Sequence, residues 1–118
     1  MTRSILIVDD HERFRSVARR ALEVDGWAVV GEAADGLSGL AEAERLAPDV
    51  VLLDVMLPDV SGLEIARRLR DEVPGSDVVL VSTHEEEDYA GLAVEHGACG
   101  FLPKADLSGD ALDALLTK

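Results

Sequence analysis

The chain has 118 residues, the usual size of one domain, and this length can bury a core without disulfides or a structural metal. Hydrophobic residues make up 47% and charged residues 30%, a globular composition, and no apolar segment approaches the roughly 20 residues that a membrane span needs. The formal net charge of −13 argues against nucleic acid or an anionic membrane as a ligand of this domain and favours a cation.

The N-terminal run and the cysteine content predict the compartment. The apolar run Ile5–Val8 is short and ends in Asp9 and Asp10, so it does not have the features of a secretory signal. Cys99 is the single cysteine and cannot form an intrachain disulfide, which fits a reducing compartment. We therefore expect one soluble cytoplasmic domain over residues 1–118.

The first half of the chain alternates between apolar runs and helical patterns. Ile5–Val8 and Val50–Leu53 are continuous apolar runs, typical of parallel strands covered on both faces. Trp27–Val30 predicts a weaker strand between them, because a glycine and a glutamate follow it closely. His11–Val24 predicts an amphipathic first helix, and Asp35 can cap a second. The apolar face of the first helix carries Phe14, Val17, Ala18, Ala21 and Leu22.

The second half continues the alternation. Ser61 and Glu64 have capping-box spacing, which predicts the start of a third helix. Gly97 predicts the end of a fourth helix, and Ser108 can cap a fifth. The predicted elements are a helix from Ser61 to about Val73, a strand at Val78–Val81, a helix from about Glu86 to His96, a strand at Phe101–Leu102 and a helix at Asp110–Lys118.

This alternation predicts the fold class. Short connections between successive strands and helices favour right-handed crossovers, which build a five-stranded parallel sheet with helices on both faces. We therefore expect a doubly wound α/β domain. In such sheets the functional crevice lies outside the carboxyl ends of the strands, so the residues that follow each apolar run are the candidates for chemistry.

Charged and polar side chains follow four of the predicted strands. Asp9 and Asp10 follow the first, Asp54 the third, Ser82 the fourth, and Lys104 lies near the fifth. Three neighbouring carboxylates would repel by about 4 kcal/mol per pair at an effective dielectric constant near 20, so they imply a bound cation or raised pKa values. Ligands that are all oxygen favour Mg²⁺, with Mn²⁺ as a substitute.

Asp54 is the candidate nucleophile. It directly follows the apolar run Val50–Leu53, which would hold its carboxylate on a rigid element at the floor of the crevice. A carboxylate that attacks a phosphoryl group forms an acyl phosphate, and a metal ion together with Lys104 would neutralise charge on the transferring oxygens.

The sequence motifs together resemble the receiver domain of bacterial two-component response regulators. They are Val8-Asp9-Asp10, Leu52-Leu53-Asp54-Val55-Met56-Leu57-Pro58, Ser61-Gly62-Leu63, Val81-Ser82 and the segment from Gly97 to Lys104. The resemblance is greatest to regulators with a C-terminal helix-turn-helix of the LuxR type. It implies a flavodoxin-like (βα)5 fold with strand order 2-1-3-4-5.

The resemblance also implies a role for each site residue. Asp54 would be the phosphoacceptor, loaded by a sensor histidine kinase or a small phosphodonor. Asp10, Asp54 and the backbone carbonyl of Met56 would bind Mg²⁺ directly, while Asp9 would act directly or through water. Lys104 would contact the phosphoryl group.

A conformational switch is implied as well. Ser82 would hydrogen-bond a phosphoryl oxygen, and Phe101 would then turn inward and remodel the face formed by the fourth helix, fifth strand and fifth helix. A homodimer could follow, and the output would come from a DNA-binding domain C-terminal to this chain. Met56 and His84 would tune hydrolysis of the acyl phosphate, although His84 is equally well explained as a solvated residue. His11 and His96 are interpreted as surface residues.

Three departures from the family pattern matter. Ala105 follows Lys104 where proline is common, so a cis peptide is not expected there. Phe101 replaces a common tyrosine, and Ser82 replaces a common threonine. The predicted switch tolerates all three.

Three alternatives remain at this point. An aspartyl-phosphate phosphatase would use similar groups, but it would place its nucleophile and acid partner two residues apart after the first strand. A flavodoxin-type cofactor binder would need a phosphate-binding loop after Val8, which the sequence lacks. A module with the receiver fold that never turns over phosphate would share every sequence feature, and metal binding would separate it from a working switch.

Overall fold

Five parallel strands form the centre of the domain, with helices on both faces. The computed structural model describes residues 3–83 and 87–116. The elements in chain order are β1 (Ser4–Val8), α1 (Glu12–Val24), β2 (Ala28–Ala33), α2 (Gly36–Leu46), β3 (Val50–Asp54), α3 (Gly62–Glu72), β4 (Asp77–Ser82), α4 (Glu87–Glu95), β5 (Gly100–Pro103), a short 3-10 turn (Lys104–Asp106) and α5 (Gly109–Leu116). The sheet order is β2-β1-β3-β4-β5, which confirms the predicted doubly wound fold and its strand order.

The continuous apolar runs reflect a sheet that is covered on both faces. In β1, Leu6 and Val8 pack into one core cluster, whereas Ile5 and Ile7 pack into a second cluster on the opposite face. Successive side chains of a strand point to opposite faces, so a strand covered on both faces must be apolar at every position. The first cluster includes residues of α2 and α3, and the second includes residues of α1 and α5.

The predicted end of the second strand was wrong. β2 begins at Ala28 and continues through Gly31 and Glu32 to Ala33. Its register against β1 shifts at Val30, which is 41% exposed, so one extra residue is accommodated by a bulge. A Cβ atom on Gly31 would lie 2.9 Å from a methyl group of Leu46, and glycine therefore allows α2 to pack against the strand.

The predicted helix ends are largely confirmed. The Asp35 side chain accepts a hydrogen bond from Ser38 N at 2.8 Å, and Ser108 Oγ accepts one from Ala111 N at 3.0 Å. Ser61 caps α3, although its hydroxyl accepts from Leu63 N and not from Glu64 N. Gly97 follows α4 with a φ of 89°, the left-handed conformation that ends a helix. The predicted fourth helix begins at about Glu86 and the predicted fifth helix ends at Lys118, and residues 86, 117 and 118 lie outside the described residues.

The apolar face predicted for the first helix was too wide. Ala18 and Leu22 are buried and Phe14 is half-buried, as expected, but Val17 is 60% exposed. Helical spacing identifies the apolar stripe of a helix but not how much of that stripe its neighbours cover. Across residues 3–83 and 87–116, the structure contains no helix long and apolar enough to cross a membrane.

Candidate functional site

The strand ends bring four predicted site residues to one edge of the sheet. Asp9 follows β1, Asp54 and Ser82 are the last residues of β3 and β4, and Lys104 follows β5. Asp9, Asp54 and Ser82 are almost completely buried, whereas the Asp10 side chain is 36% exposed. Parallel strands end at the same edge, so the topology itself brings these side chains together, and we call the cluster of Asp9, Asp10 and Asp54 the acidic pocket.

Lys104 neutralises part of the acidic pocket. Its Nζ lies 2.6 Å from Asp9 Oδ2 and 3.3 Å from Asp54 Oδ2, and its side chain is only 9% exposed. The contact with Asp9 is an ion pair without hydrogen-bond alignment, and Asp9 Oδ2 accepts no hydrogen bond from the described residues. One ammonium group therefore faces two buried carboxylates, with Asp10 nearby, and the pocket keeps an excess of negative charge.

Burial raises the pKa of the Asp54 carboxyl above its ordinary value of 3.8, and the negative charge of Asp9 raises it further. Two groups oppose this shift. The backbone N–H of Met56 donates a hydrogen bond to Asp54 Oδ1 at 3.0 Å, and Lys104 attracts the carboxylate. The net effect is a raised pKa, so the folded protein disfavours the charged form of Asp54, and a bound cation would lower that cost.

The backbone around Asp54 is held by the start of α3. Gly62 N donates to Val55 O at 2.9 Å, and a Cβ atom on Gly62 would overlap the carbonyl oxygen of Asp54. A glycine is therefore required where α3 approaches the end of β3. This close approach gives the Ser61-Gly62-Leu63 motif a physical reason.

His11 is a site residue that the sequence analysis missed. Its Nδ1 lies 3.1 Å from Asp9 Oδ1 and 3.2 Å from Asp10 Oδ1, and its backbone N–H donates to Asp9 Oδ1 at 2.8 Å. The side chain is 61% exposed, as expected of a surface residue, but its ring faces the acidic pocket. The sequence feature that could have identified it is its position directly after the two aspartates.

Two residues of α1 also contact the site. Arg15 Nη1 donates to the Asp9 carbonyl at 2.6 Å, and its Nε donates to Glu32 at 3.1 Å. Lys104 Nζ lies 4.4 Å from the centre of the Phe14 ring, a cation–π contact. Phe14 was predicted as a core residue only, because helical spacing does not indicate which functional group lies above the ring.

The donor set fits a divalent cation. Asp9, Asp10, His11 and Asp54 each offer one ligand atom, and these atoms lie within 4.8 Å of one another. Several neighbouring carboxylate oxygens suit Mg²⁺, which takes one or two carboxylates and keeps several waters. The Met56 backbone borders the pocket through its N–H, and the role of its carbonyl as a ligand stays a prediction.

The other predicted site residues differ in burial and in their position in the fold. The Met56 side chain is 61% exposed. Phe101, in β5, is half-buried and packs against the core cluster that includes α2 and α3. Ser82 lies at the buried end of β4, next to Pro103 in the sheet register. His84 lies outside the described residues.

Comparison with known proteins identifies the family. A family model described as the response regulator receiver domain matches residues 5–116. The chain belongs to this family. The receiver domain is 40% identical over 101 residues to the response regulator GacA of Pseudomonas viridiflava, an alignment that covers 85% of this chain and 47% of GacA.

Solved structures agree with the receiver fold. The signal receiver domain of the response regulator NarL from Mycobacterium tuberculosis matches with a TM-score of 0.87 and 33% identity, over 99% of this chain and 98% of that one. A response regulator from Burkholderia pseudomallei matches with a TM-score of 0.85 and 27% identity, over 98% of this chain and 67% of that one.

These findings confirm the predicted family and its fold. Solved structures of LuxR-family response regulators are among the matches, in agreement with the predicted subtype. The receiver domain is a signalling module of two-component systems and not a classical enzyme, and several relatives are named as transcriptional regulatory proteins. The receiver domain spans about half the length of the curated relatives it matches.

Proposed function

We propose that residues 1–118 form one receiver domain in which Asp54 accepts a phosphoryl group from a sensor histidine kinase. The arrangement of Asp54 carries this proposal. Its carboxylate is buried at the end of β3, 3.3 Å from Lys104 Nζ and hydrogen-bonded to the backbone N–H of Met56. An aspartate with a purely structural role would not need a second buried carboxylate, that of Asp9, beside it.

The proposed reaction is a displacement at phosphorus. A carboxylate oxygen of Asp54 attacks the phosphoryl group, while the bond between phosphorus and the imidazole nitrogen of the kinase breaks. The electron pair of that bond stays on the imidazole nitrogen, which takes up a proton. The product is an acyl phosphate on Asp54.

Mg²⁺, or Mn²⁺ in its place, would stabilise the negative charge of the phosphoryl oxygens during this transfer. Asp9, Asp10, Asp54 and the backbone carbonyl of Met56 would hold the ion. Lys104 would move its charge from the Asp9 carboxylate to a phosphoryl oxygen, which explains why it is close to both aspartates before the reaction.

The conformational response would begin at Ser82. Its hydroxyl would donate a hydrogen bond to a phosphoryl oxygen, and the space left beside it would admit the Phe101 ring. Phe101 is half-buried and packs against the core cluster that includes α2 and α3, so a change of its rotamer would alter that packing. The face formed by α4, β5 and α5 would be remodelled by this shift in population.

The output is proposed from the relatives. Because relatives are named as transcriptional regulatory proteins and the motifs resemble regulators with a C-terminal helix-turn-helix, we infer that a C-terminal DNA-binding domain reads the remodelled face and controls transcription in the cytoplasm. A homodimer formed on phosphorylation is one route for that signal. The receiver domain itself would bind neither nucleic acid nor membrane, in keeping with its net charge of −13.

Self-catalysed hydrolysis would end the signal. Water would attack the acyl phosphate and return Asp54 to its carboxylate form, and no other substrate is proposed. Met56 is exposed next to the phosphoacceptor, where its side chain would restrict the approach of water. His84 would act on the same path. The phosphoacceptor role of Asp54 is supported by the Burkholderia pseudomallei relative, since its structure is described as having a phosphorylated aspartic acid and a calcium ion.

Intact mass spectrometry tests the proposal. The receiver domain is incubated with acetyl phosphate and Mg²⁺, beside Asp54→Asn and an EDTA control. We expect one phosphoryl increment in the wild type, and none in the variant or with EDTA. If the wild type gains no increment and also fails to bind beryllofluoride, the domain is instead the phosphate-independent interaction module.

A further inference from the structure

The acidic pocket contains one potential ligand that the proposed Mg²⁺ site does not use. The Nδ1 atom of His11 lies between two carboxylates, 3.1 Å from Asp9 Oδ1 and 3.2 Å from Asp10 Oδ1. The backbone N–H of His11 also donates to Asp9 Oδ1 at 2.8 Å, which fixes the start of the side chain relative to the pocket. The backbone of His11 is therefore attached to the cation site, and the imidazole lies beside the same carboxylates.

The distances allow the imidazole to join the other ligands. The atoms of Asp9, Asp10, His11 and Asp54 that could bind a metal lie within 4.8 Å of one another. Opposite ligands on an octahedral ion with bonds of about 2.1 Å are separated by about 4.2 Å, so small side-chain rotations would complete the site. The His11 side chain is 61% exposed and has the freedom to make such a rotation.

We propose that His11 supplies a nitrogen ligand to this pocket, which makes it a mixed nitrogen and oxygen site that favours late first-row divalent cations over Mg²⁺. This inference rests on the proposed function, because it uses the same pocket. Imidazole is a good ligand for Co²⁺, Ni²⁺ and Zn²⁺, whereas Mg²⁺ prefers oxygen and keeps its water. One nitrogen therefore changes the relative affinity for the two kinds of ion.

Ligation changes the hydrogen bonding of the imidazole. Nδ1 lies at hydrogen-bond distance from the Asp9 carboxylate, which fits a proton on Nδ1. To bind a metal, Nδ1 must present its lone pair, with the ring proton on Nε2. If His11 instead serves only to donate a hydrogen bond to the carboxylates, its removal would weaken Mg²⁺ and Co²⁺ binding by the same factor.

The test compares the affinities for Co²⁺ and Mg²⁺ at constant ionic strength. The variants are His11→Gln, which keeps a hydrogen-bonding side chain, and His96→Gln as a matched control. His96 lies just after α4, where its Nδ1 is 2.8 Å from the Leu92 carbonyl oxygen, and it is not part of the pocket. Calorimetry gives the affinities, and the visible absorption of Co²⁺ reports nitrogen ligation.

We expect His11→Gln to weaken Co²⁺ binding by about tenfold or more, equivalent to about 1.4 kcal/mol, and to weaken Mg²⁺ binding much less. The Co²⁺ spectrum should change in His11→Gln and stay as in the wild type in His96→Gln. Equal Co²⁺ affinity and an equal spectrum in the wild type and His11→Gln would overturn the inference. An equal loss of both metals would overturn it too.

A separate measurement keeps this inference apart from the proposed function. Wild-type protein is phosphorylated by acetyl phosphate in Mg²⁺ and followed by intact mass. If phosphorylation occurs but Co²⁺ binding does not depend on His11, only the assignment of His11 fails. If the wild type binds neither metal, both the proposed Mg²⁺ site and the His11 assignment fail.

Discussion

At the scale of single residues, the site contains more negative than positive charges. Asp9 and Asp54 are buried, and both lie close to the one ammonium group of Lys104. Removing a carboxylate from water disfavours its charged form unless other groups compensate. Burial and Asp9 therefore disfavour the charged form of Asp54, which is the form that the proposed metal binding and nucleophilic attack would use.

Asp54→Asn should stabilise the metal-free domain at neutral pH. Burial and Asp9 raise the pKa of Asp54, so the folded state binds the proton more tightly than the unfolded state does. The contribution of such a group to the free energy of unfolding is fully present below its ordinary pKa of 3.8 and is lost as the pH rises through the raised pKa. Urea unfolding with EDTA at several pH values should show that the variant has a higher free energy of unfolding than the wild type at pH 7. This difference should shrink as the pH falls.

Asp77→Asn is the control for this pH series. Asp77 is exposed at the start of β4, far along the strand from the pocket, so its removal changes the net charge equally without relieving buried repulsion. We expect its stability to follow the wild type at each pH. A wild type that is more stable than Asp54→Asn at neutral pH would contradict the prediction.

Phe14 and Lys104 should be energetically coupled. The ammonium lies 4.4 Å from the ring centre, and the lysine side chain is only 9% exposed. A double-mutant cycle with Phe14→Leu and Lys104→Met should give a coupling free energy of about 0.5–2 kcal/mol. Leucine keeps an apolar side chain but removes the π face. Additivity of the two single effects within about 0.5 kcal/mol would show that the ring only fills space.

At the scale of the elements, the sequence predicted where strands end better than how side chains turn. Asp9, Asp54 and Ser82 could be assigned because a parallel sheet places every strand's carboxyl end at one edge. The bulge at Val30 could not, because it depends on pairing with β1, which is distant in sequence, and the His11 ring could not, because its rotamer is not encoded by residue spacing. Short-range periodicity contains no information about such pairing or rotamers.

The junction between β3 and α3 should tolerate no side chain at Gly62. A Cβ atom there would overlap the Asp54 carbonyl oxygen and lie 2.8 Å from Val55 Cα, and both are backbone atoms that cannot rotate away. Gly62→Ala should therefore lower the free energy of unfolding by about 1–3 kcal/mol or more. Chemical denaturation measures this loss, and the displaced Asp54 should also accept phosphate from acetyl phosphate more slowly.

Gly75→Ala provides the matched comparison for that substitution. Gly75 lies between α3 and β4, and a Cβ atom there would have no heavy atom within 4 Å. Its free energy of unfolding should stay within about 1 kcal/mol of the wild type. Equal stability of the two variants would show that α3 can move away from β3 at little cost.

At the scale of the whole molecule, the acidic pocket lies in a strongly acidic domain. The net charge of −13 means that any salt screens repulsion across the surface, so a general salt effect must be separated from occupation of the pocket. The fold and the family could be predicted from the sequence because the motifs mark the ends of four of the five strands. The distribution of charge around Lys104 could not be predicted, since it depends on the rotamers of side chains from three separate elements.

Mg²⁺ should stabilise the domain more than NaCl does at equal ionic strength. A ligand that binds only the folded state adds RT ln(1 + [L]/Kd), which is about 2.7 kcal/mol at a concentration of 100 Kd. Thermal unfolding in MgCl2 and in matched NaCl measures the difference. Asp10→Asn removes one carboxylate of the pocket, and its Mg²⁺ increment should fall to the level that NaCl produces. If MgCl2 and NaCl give the same Tm in the wild type, the acidic pocket does not hold the ion, and its excess negative charge requires another explanation.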